Sequence, residues 1–175
     1  MVKFFNTNEW PIIYLKSYNN YINDNLFELY KKQYLSLLIK CKNNKEKIIL
    51  ICDLTTLNDC DNLPLNYIMK HANFNKEIYK YNKEYVKAVC ILCSNSSLKN
   101  ILNLYFTISK PASPYKIFKN NDKINKYLMD NFNIEFNISI FQKNDIDSIE
   151  EDSSNESLDL SELNLNDSNI ISYLK

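Results

Sequence analysis

The sequence contains no glycine, and every one of its 21 basic residues other than the single histidine is a lysine. Both absences exclude chemistry. A phosphate-cradling loop of the dinucleotide or Walker type needs glycine for its turn and for close backbone approach. Without arginine there is no guanidinium fork for bidentate recognition of phosphate or guanine. The same bias, with Asn, Lys, Ile and Tyr abundant, is the signature of an AT-rich genome. No apolar run reaches the roughly 18 residues of a membrane-spanning helix, and the N-terminus lacks a basic, apolar, small-residue signal pattern. The five cysteines, Cys41, Cys52, Cys60, Cys90 and Cys93, are odd in number. Three sit on apolar strand-like or helical faces, where reduced, buried cysteine is the ordinary expectation. A cytoplasmic setting follows as the expectation.

What is present is enough for one core. A chain of 175 residues with 13 tyrosines and 9 phenylalanines can bury a single α/β domain, and two would be cramped. The net charge of zero hides a polarity. Residues 144–175 hold nine acids and one base, which leaves 20 lysines against 12 acids in residues 1–143, a body of about +8. The tail is rich in Ser, Asp, Glu and Asn without a core pattern, and reads as disordered. Ser148 and Ser153 stand among its acids at spacings that suit an acid-directed kinase.

Along the body, residues 2–5 and 10–18 read as two strands. A helix follows, with Leu26, Phe27, Tyr30, Tyr34, Leu37, Leu38 and Cys41 at helical spacing, Asn23 or Asp24 as its cap, and one side in water. Residues 47–54 form a continuous apolar run ending in Asp53, the mark of a strand buried on both faces. Pro64 opens the next helix, and a slip in its apolar phase predicts a break near residues 73–75. Residues 86–93 are the second buried strand. Ser96 or Ser97 caps a helix carrying Leu98, Ile101, Leu102, Tyr105 and Phe106, which a Lys-Pro turn ends. A short strand at 115–118 and a helix at about 121–132 come next. Ile134, Phe136, Ile138 and Ile140 then alternate with polar residues, which predicts a half-buried edge strand. The order ββαβαβαβαβ predicts a small mixed sheet of five to six strands with helical crossovers, over residues 1–143, followed by the acidic tail.

From about residue 45 to 132 these features fall in a familiar arrangement. A strand ends in Asp53-Leu54-Thr55 before a helix. A second strand ends in a small residue and a Ser-rich cap, Cys93 to Ser97. An amphipathic helix leads to Lys110-Pro111, a short strand with Ile117 and Phe118, and a helix opened by Asn121-Asp122. The pattern resembles the STAS family, in particular its SpoIIAA-like branch, discussed together with CRAL-TRIO lipid carriers. The resemblance implies a small α/β fold that works by binding. Anti-sigma antagonists of that family are switched by phosphorylation of a Ser behind the first strand. Residues 58–65 here hold no Ser, Thr or Gly, so the switch does not carry over, and Cys93 stands where Gly is common.

The candidate chemistry is thin. Cys90 and Cys93 are three apart on a strand and point to opposite faces, which disfavours chelation or a bridge. Cys93, followed by Ser94, Asn95, Ser96 and Ser97 at a helix start, suits anion binding and a lowered thiol pKa. Asp53, Asp59 and Asp61 read as solvated or capping acids more readily than as a metal cluster. His71 sits beside the Met69/Ala72 face as a boundary residue. The lysines are scattered over every helix, which argues against nucleic acid. The sequence therefore favours a non-enzymatic STAS-like regulatory or protein-interaction module without cofactor or metal, its partner surface formed by Asp53, Thr55, Thr56, Asp59, Asp61 and the turn Cys93, Ser94, Asn95, Ser96, Ser97. A carrier or sensor of a lipid or other apolar ligand is the alternative, motivated by the apolar helices around 98–106 and 74–85. A Cys93-dependent enzyme on anionic substrates is the second alternative.

Overall fold

The apolar runs around Ile51 and Cys90 become the two central strands of a five-stranded sheet, β3 (Ile48–Asp53) and β4 (Val86–Leu92). The computed structural model describes residues 4–17, 23–57, 64–137 and 141. β2 (Ile12–Lys16) lies parallel to β3, and β5 (Tyr115–Phe118) parallel to β4. β1 (Phe5–Asn6) adds a short antiparallel edge on β2. Both N-terminal strands are shorter than the aromatic content of the sequence suggests. The peptide between Trp10 and Pro11 is cis, and β2 begins just after it.

The strands lie side by side in chain order. Each parallel connection therefore steps one strand over in the same direction, and crossovers of one hand send their helices to one face. These are α1 (Asp24–Asn44), α2 (Leu65–Glu77), α3 (Tyr79–Tyr85) and α4 (Ser96–Ile108). On that face Ile13, Ile48, Leu50 and Val86 pack against Phe27, Tyr34, Leu38, Phe74, Ile78 and Tyr81, and Ile91 and Cys93 pack against Leu98. Among the described helices, α5 (Asn121–Phe132), which follows β5, covers the opposite face. There Ile124 and Leu128 meet Tyr14, Ile49, Ile51, Ala88, Cys90, Leu92 and Phe118. The alternation along β3 and β4 thus serves two cores, with Cys90 in one and Cys93 in the other.

Local signals set the helix ends. The Asn23 side chain accepts from the Leu26 amide and caps α1. Asn95, and neither Ser96 nor Ser97, caps α4: its side-chain oxygen accepts from the Ser97 amide at 2.8 Å and the Leu98 amide at 3.4 Å, which places both serines inside the first turn. The break expected near residues 73–75 falls at Ile78, between α2 and α3. Asn75 stays helical because its side-chain amide donates to the His71 carbonyl, and the chain departs only after both Phe74 and Ile78 are buried.

The last expected strand is a correction. Residues 134–137 pair with no strand; Phe136 is buried on the α5 face, and the Ile134 amide closes the end of α5 on the Leu128 carbonyl. The alternation is real, but it serves packing against a sheet face instead of hydrogen bonding at an edge. The observed order is ββαβααβαβα. Residues 138–140 and the acidic tail, with Ser148 and Ser153, lie outside the described residues.

A chain without glycine must end its helices with other residues. α1 terminates at Lys45 with φ 57° and ψ 36°, and α5 at Asn133 with φ 55° and ψ 42°. Asparagine tolerates this left-handed conformation, whereas lysine carries the full Cβ penalty. Lys45→Gly should therefore stabilise the protein by about 1 kcal/mol, read as a raised urea midpoint at unchanged slope. A lowered midpoint would contradict the left-handed cap.

Candidate ligand pocket

The helix-side core is not completely filled. Small and medium side chains on β3 and β4, namely Leu50, Cys52, Val86, Val89 and Ile91, form a floor, and above it lies a cavity of about 310 Å³. Tyr30 and Tyr34 of α1, Tyr67, Ile68, His71 and Asn75 of α2, and Leu98, Ile101, Leu102, Tyr105 and Phe106 of α4 make its walls. Residues 109–113 close one side. The lining includes Phe5 on β1 and Tyr115 on β5, so side chains from both edges of the sheet reach the cavity. Its volume is at the small end of the range of about 300–1,000 Å³ typical of ligand pockets.

Aromatic contacts stiffen the walls. Tyr30 stacks on Tyr34 with centroids 6.0 Å apart, Phe5 lies 5.4 Å from Tyr30, and Phe106 lies 4.2 Å from Tyr115. Tyr30, Tyr34, Tyr67 and Tyr105 line the cavity together with Cys52. Burial pushes Tyr30 well above its ordinary pKa, and the nearby Tyr34, Tyr105, Cys52 and Tyr67 add to the shift. Burial also raises Tyr34 and Tyr105 well above their ordinary values and pushes Cys52 up to about 12. All four groups stay protonated and uncharged at neutral pH.

A chain of side-chain hydrogen bonds crosses one wall. The Tyr34 hydroxyl donates to Asn82 Oδ1 at 2.8 Å, and Asn82 Nδ2 donates to Asn75 Oδ1 at 3.2 Å. Asn75 Nδ2 in turn donates to the Tyr105 hydroxyl. His71 is wedged among rings, 4.6 Å from Phe27, 4.6 Å from Tyr67 and 5.1 Å from Tyr30. Its Nε2 is buried without a hydrogen-bond partner among the described residues, and burial lowers its pKa to about 4.

The family model for a domain of unknown function, DUF7793, matches residues 31–131. The chain belongs to the DUF7793 family. No curated protein and no solved structure matches it. The DUF7793 segment begins one residue after Tyr30 and runs nearly to the end of α5. It carries β3, β4 and β5 and most of the pocket wall, while Phe5, Leu15 and Tyr30 come from the preceding chain.

Within this DUF7793 protein the described residues among those singled out from sequence, Asp53, Thr55, Thr56 and Cys93 to Ser97, lie at or just beyond the C-terminal ends of β3 and β4. Asp53 is fully buried on the α5 face, and it is a structural anchor. The Tyr14 hydroxyl donates to its Oδ2 at 2.5 Å, and the Thr55 amide and hydroxyl donate to its Oδ1 at 2.9 and 2.6 Å. The Thr56 hydroxyl donates to the Ser17 carbonyl. Asp59 and Asp61, like Cys60, lie outside the described residues. Cys93 is fully buried, and its Sγ donates to the Asn95 carbonyl at 3.4 Å. Burial raises this thiol above its ordinary value, against the lowering expected at a helix start; the Asn95 contact and Lys99 offset the rise only in part. Ser94, Ser96 and Ser97 are exposed. Among the described residues no three His, Cys, Asp or Glu side chains gather to hold a metal, and no helix is long and apolar enough to cross a membrane.

Sequence reading missed the tyrosine cluster. Its signal was present in Tyr30/Tyr34 and Tyr67/His71, two i,i+4 pairs of polar-tipped rings on inward helix faces. Nothing in the sequence tells such rings from plain core.

The buried imidazole ties stability to pH. Unfolded, His71 takes up a proton near pH 6.5; folded, it stays neutral down to about pH 4. Its depressed pKa makes stability fall as pH drops through that window. Between pH 7.5 and 5 the protein should lose about 2 kcal/mol more than His71→Phe does, measured by urea unfolding at both pH values. Equal losses would show that the ring is not held neutral.

Proposed function

We propose that this protein is a non-enzymatic, STAS-like binding module that holds a small apolar ligand between its sheet and its crossover helices, as a carrier or sensor. The observation that carries this reading is the cavity of about 310 Å³ on the helix side, walled by rings and aliphatic side chains from α1, α2 and α4 and floored by the sheet. A fold without a ligand gains nothing from such a void, because its lining forgoes contacts that a filled core would make.

The neutrality of the groups inside supports binding over catalysis. Burial raises Cys41, Cys52 and Cys90 to about 12 and Cys93 above its ordinary value, so none is poised as a thiolate nucleophile. His71, lowered to about 4, is a weak base at neutral pH. The pocket also supports the apolar-ligand reading over a purely protein-binding module built on Asp53 and the turn at residues 93–97, since Asp53 and Cys93 spend their polar groups on internal contacts.

Native mass spectrometry of the full chain, purified without detergent, should show a discrete added mass that denaturation releases. Val89→Phe, which sends a ring into the cavity from its floor, should lose that mass and keep its cooperative urea transition. A bare protein that also fails to bind Nile red saturably would contradict the reading and favour a protein-interaction module instead.

A further inference from the structure

The cavity offers more hydrogen-bond donors than its own walls consume. Tyr105 accepts a hydrogen bond from Asn75 Nδ2, so its oxygen is engaged there, yet its own proton has no acceptor among the described residues. Tyr30, whose ring lines the same cavity, has no hydrogen-bond partner for its hydroxyl among the described residues. Tyr34 differs, because its proton is committed to Asn82 Oδ1 at 2.8 Å. Two phenols from two helices, α1 and α4, therefore bring uncommitted O–H groups to one apolar space. A run of contacts links them: the Tyr30 ring stacks on Tyr34 at 6.0 Å, and the Tyr34 hydroxyl leads through Asn82 and Asn75 to the Tyr105 hydroxyl.

We propose that the pocket selects an apolar molecule bearing a neutral carbonyl oxygen, a ketone, quinone or ester in chemical class, which accepts from the hydroxyls of Tyr30 and Tyr105. The inference rests on the apolar-pocket reading and specifies its ligand. A pure hydrocarbon would leave both donors desolvated and unpaired, a cost it cannot recover. A carbonyl oxygen has two lone pairs and takes two such donors at once. A carboxylate is disfavoured because the groups around the phenols are uncharged and a buried anion needs more than two neutral donors. The lysines of the lining, Lys16 and Lys110, lie at the end of β2 and beyond the end of α4. The aromatic walls, with Tyr34, His71 and Phe106 beside the two donors, suit a flat body attached to the carbonyl.

The test compares three probes that share one ring system: fluorene, 9-fluorenone and fluorene-9-carboxylate, each titrated calorimetrically into the full chain. Fluorenone should bind about tenfold more tightly than fluorene, the increment of one to two net hydrogen bonds. Tyr30→Phe combined with Tyr105→Phe should erase that advantage and leave fluorene binding unchanged, which also reports that the pocket remains folded. Fluorene and fluorenone binding equally to the wild-type protein would overturn the carbonyl assignment and leave the apolar pocket standing. Carboxylate binding tightest would overturn it in favour of an anionic ligand. Failure of all three to bind would overturn the pocket reading itself, and this inference with it.

Discussion

Strand order is the constraint on which the rest of the molecule depends. Because β2, β3, β4 and β5 lie side by side in chain order, four of the five helices are delivered to one face of the sheet. Helices about 10 Å in diameter cannot tile a narrow, twisted sheet without leaving gaps where they diverge. One such gap lies between α1, α2 and α4, over the small floor residues Cys52 and Val89. Among the described elements, α5 is the one helix on the opposite face. There Phe136 and Phe141 complete the cover that α5 begins, and Phe141 stacks on Tyr14 at 5.1 Å. Asp53 joins this second core to the loop above it, holding Tyr14 on one side and Thr55 on the other.

The gap is lined in a particular way. Among its polar groups are phenols, two side-chain amides and one imidazole, and burial holds Tyr30, Tyr34, Tyr105 and His71 in their neutral forms. Apart from Lys16 and Lys110 such a site has little charge to steer or polarise a substrate, but it has directional donors in a mostly apolar surround, where each hydrogen bond counts for more than in water. The polar chain from Tyr34 through Asn82 and Asn75 to Tyr105 fixes rotamers on four helices at once. That shaping is what a recognition pocket needs, and the DUF7793 segment supplies every member of the chain.

Much of the fold was legible in the sequence because its signals are local. The runs that became β3 and β4, the Asn23 cap, the opening of α2 after Pro64 and the limits of β5 and α5 all follow from periodicity, capping and proline chemistry. The alternation misled over the described residues 134–137 because a period of two records which side chains face the core and says nothing about whether the backbone pairs. The position of the break at Ile78 was likewise decided by tertiary burial. The pocket was less legible. Loop acids and a cysteine at a helix start draw attention as residue types, yet Asp53 and Cys93 turn out to be internally satisfied. The groups that line the cavity are tyrosines spread from α1 to α4, and only the crossing of their helices brings them together.

The two faces of the sheet provide their own control for the central claim, that the helix side and not the α5 side receives a small molecule. Methyl groups of Leu50, Val86, Val89 and Ile91 border the cavity, while those of Ile49, Ile51, Ile124 and Leu128 lie in the opposite core. The most direct measurement is a methyl carbon–proton correlation spectrum of the full chain titrated with 9-fluorenone. The account predicts saturable shifts confined to the first set. Shifts confined to the second set, or equal in both, would contradict it.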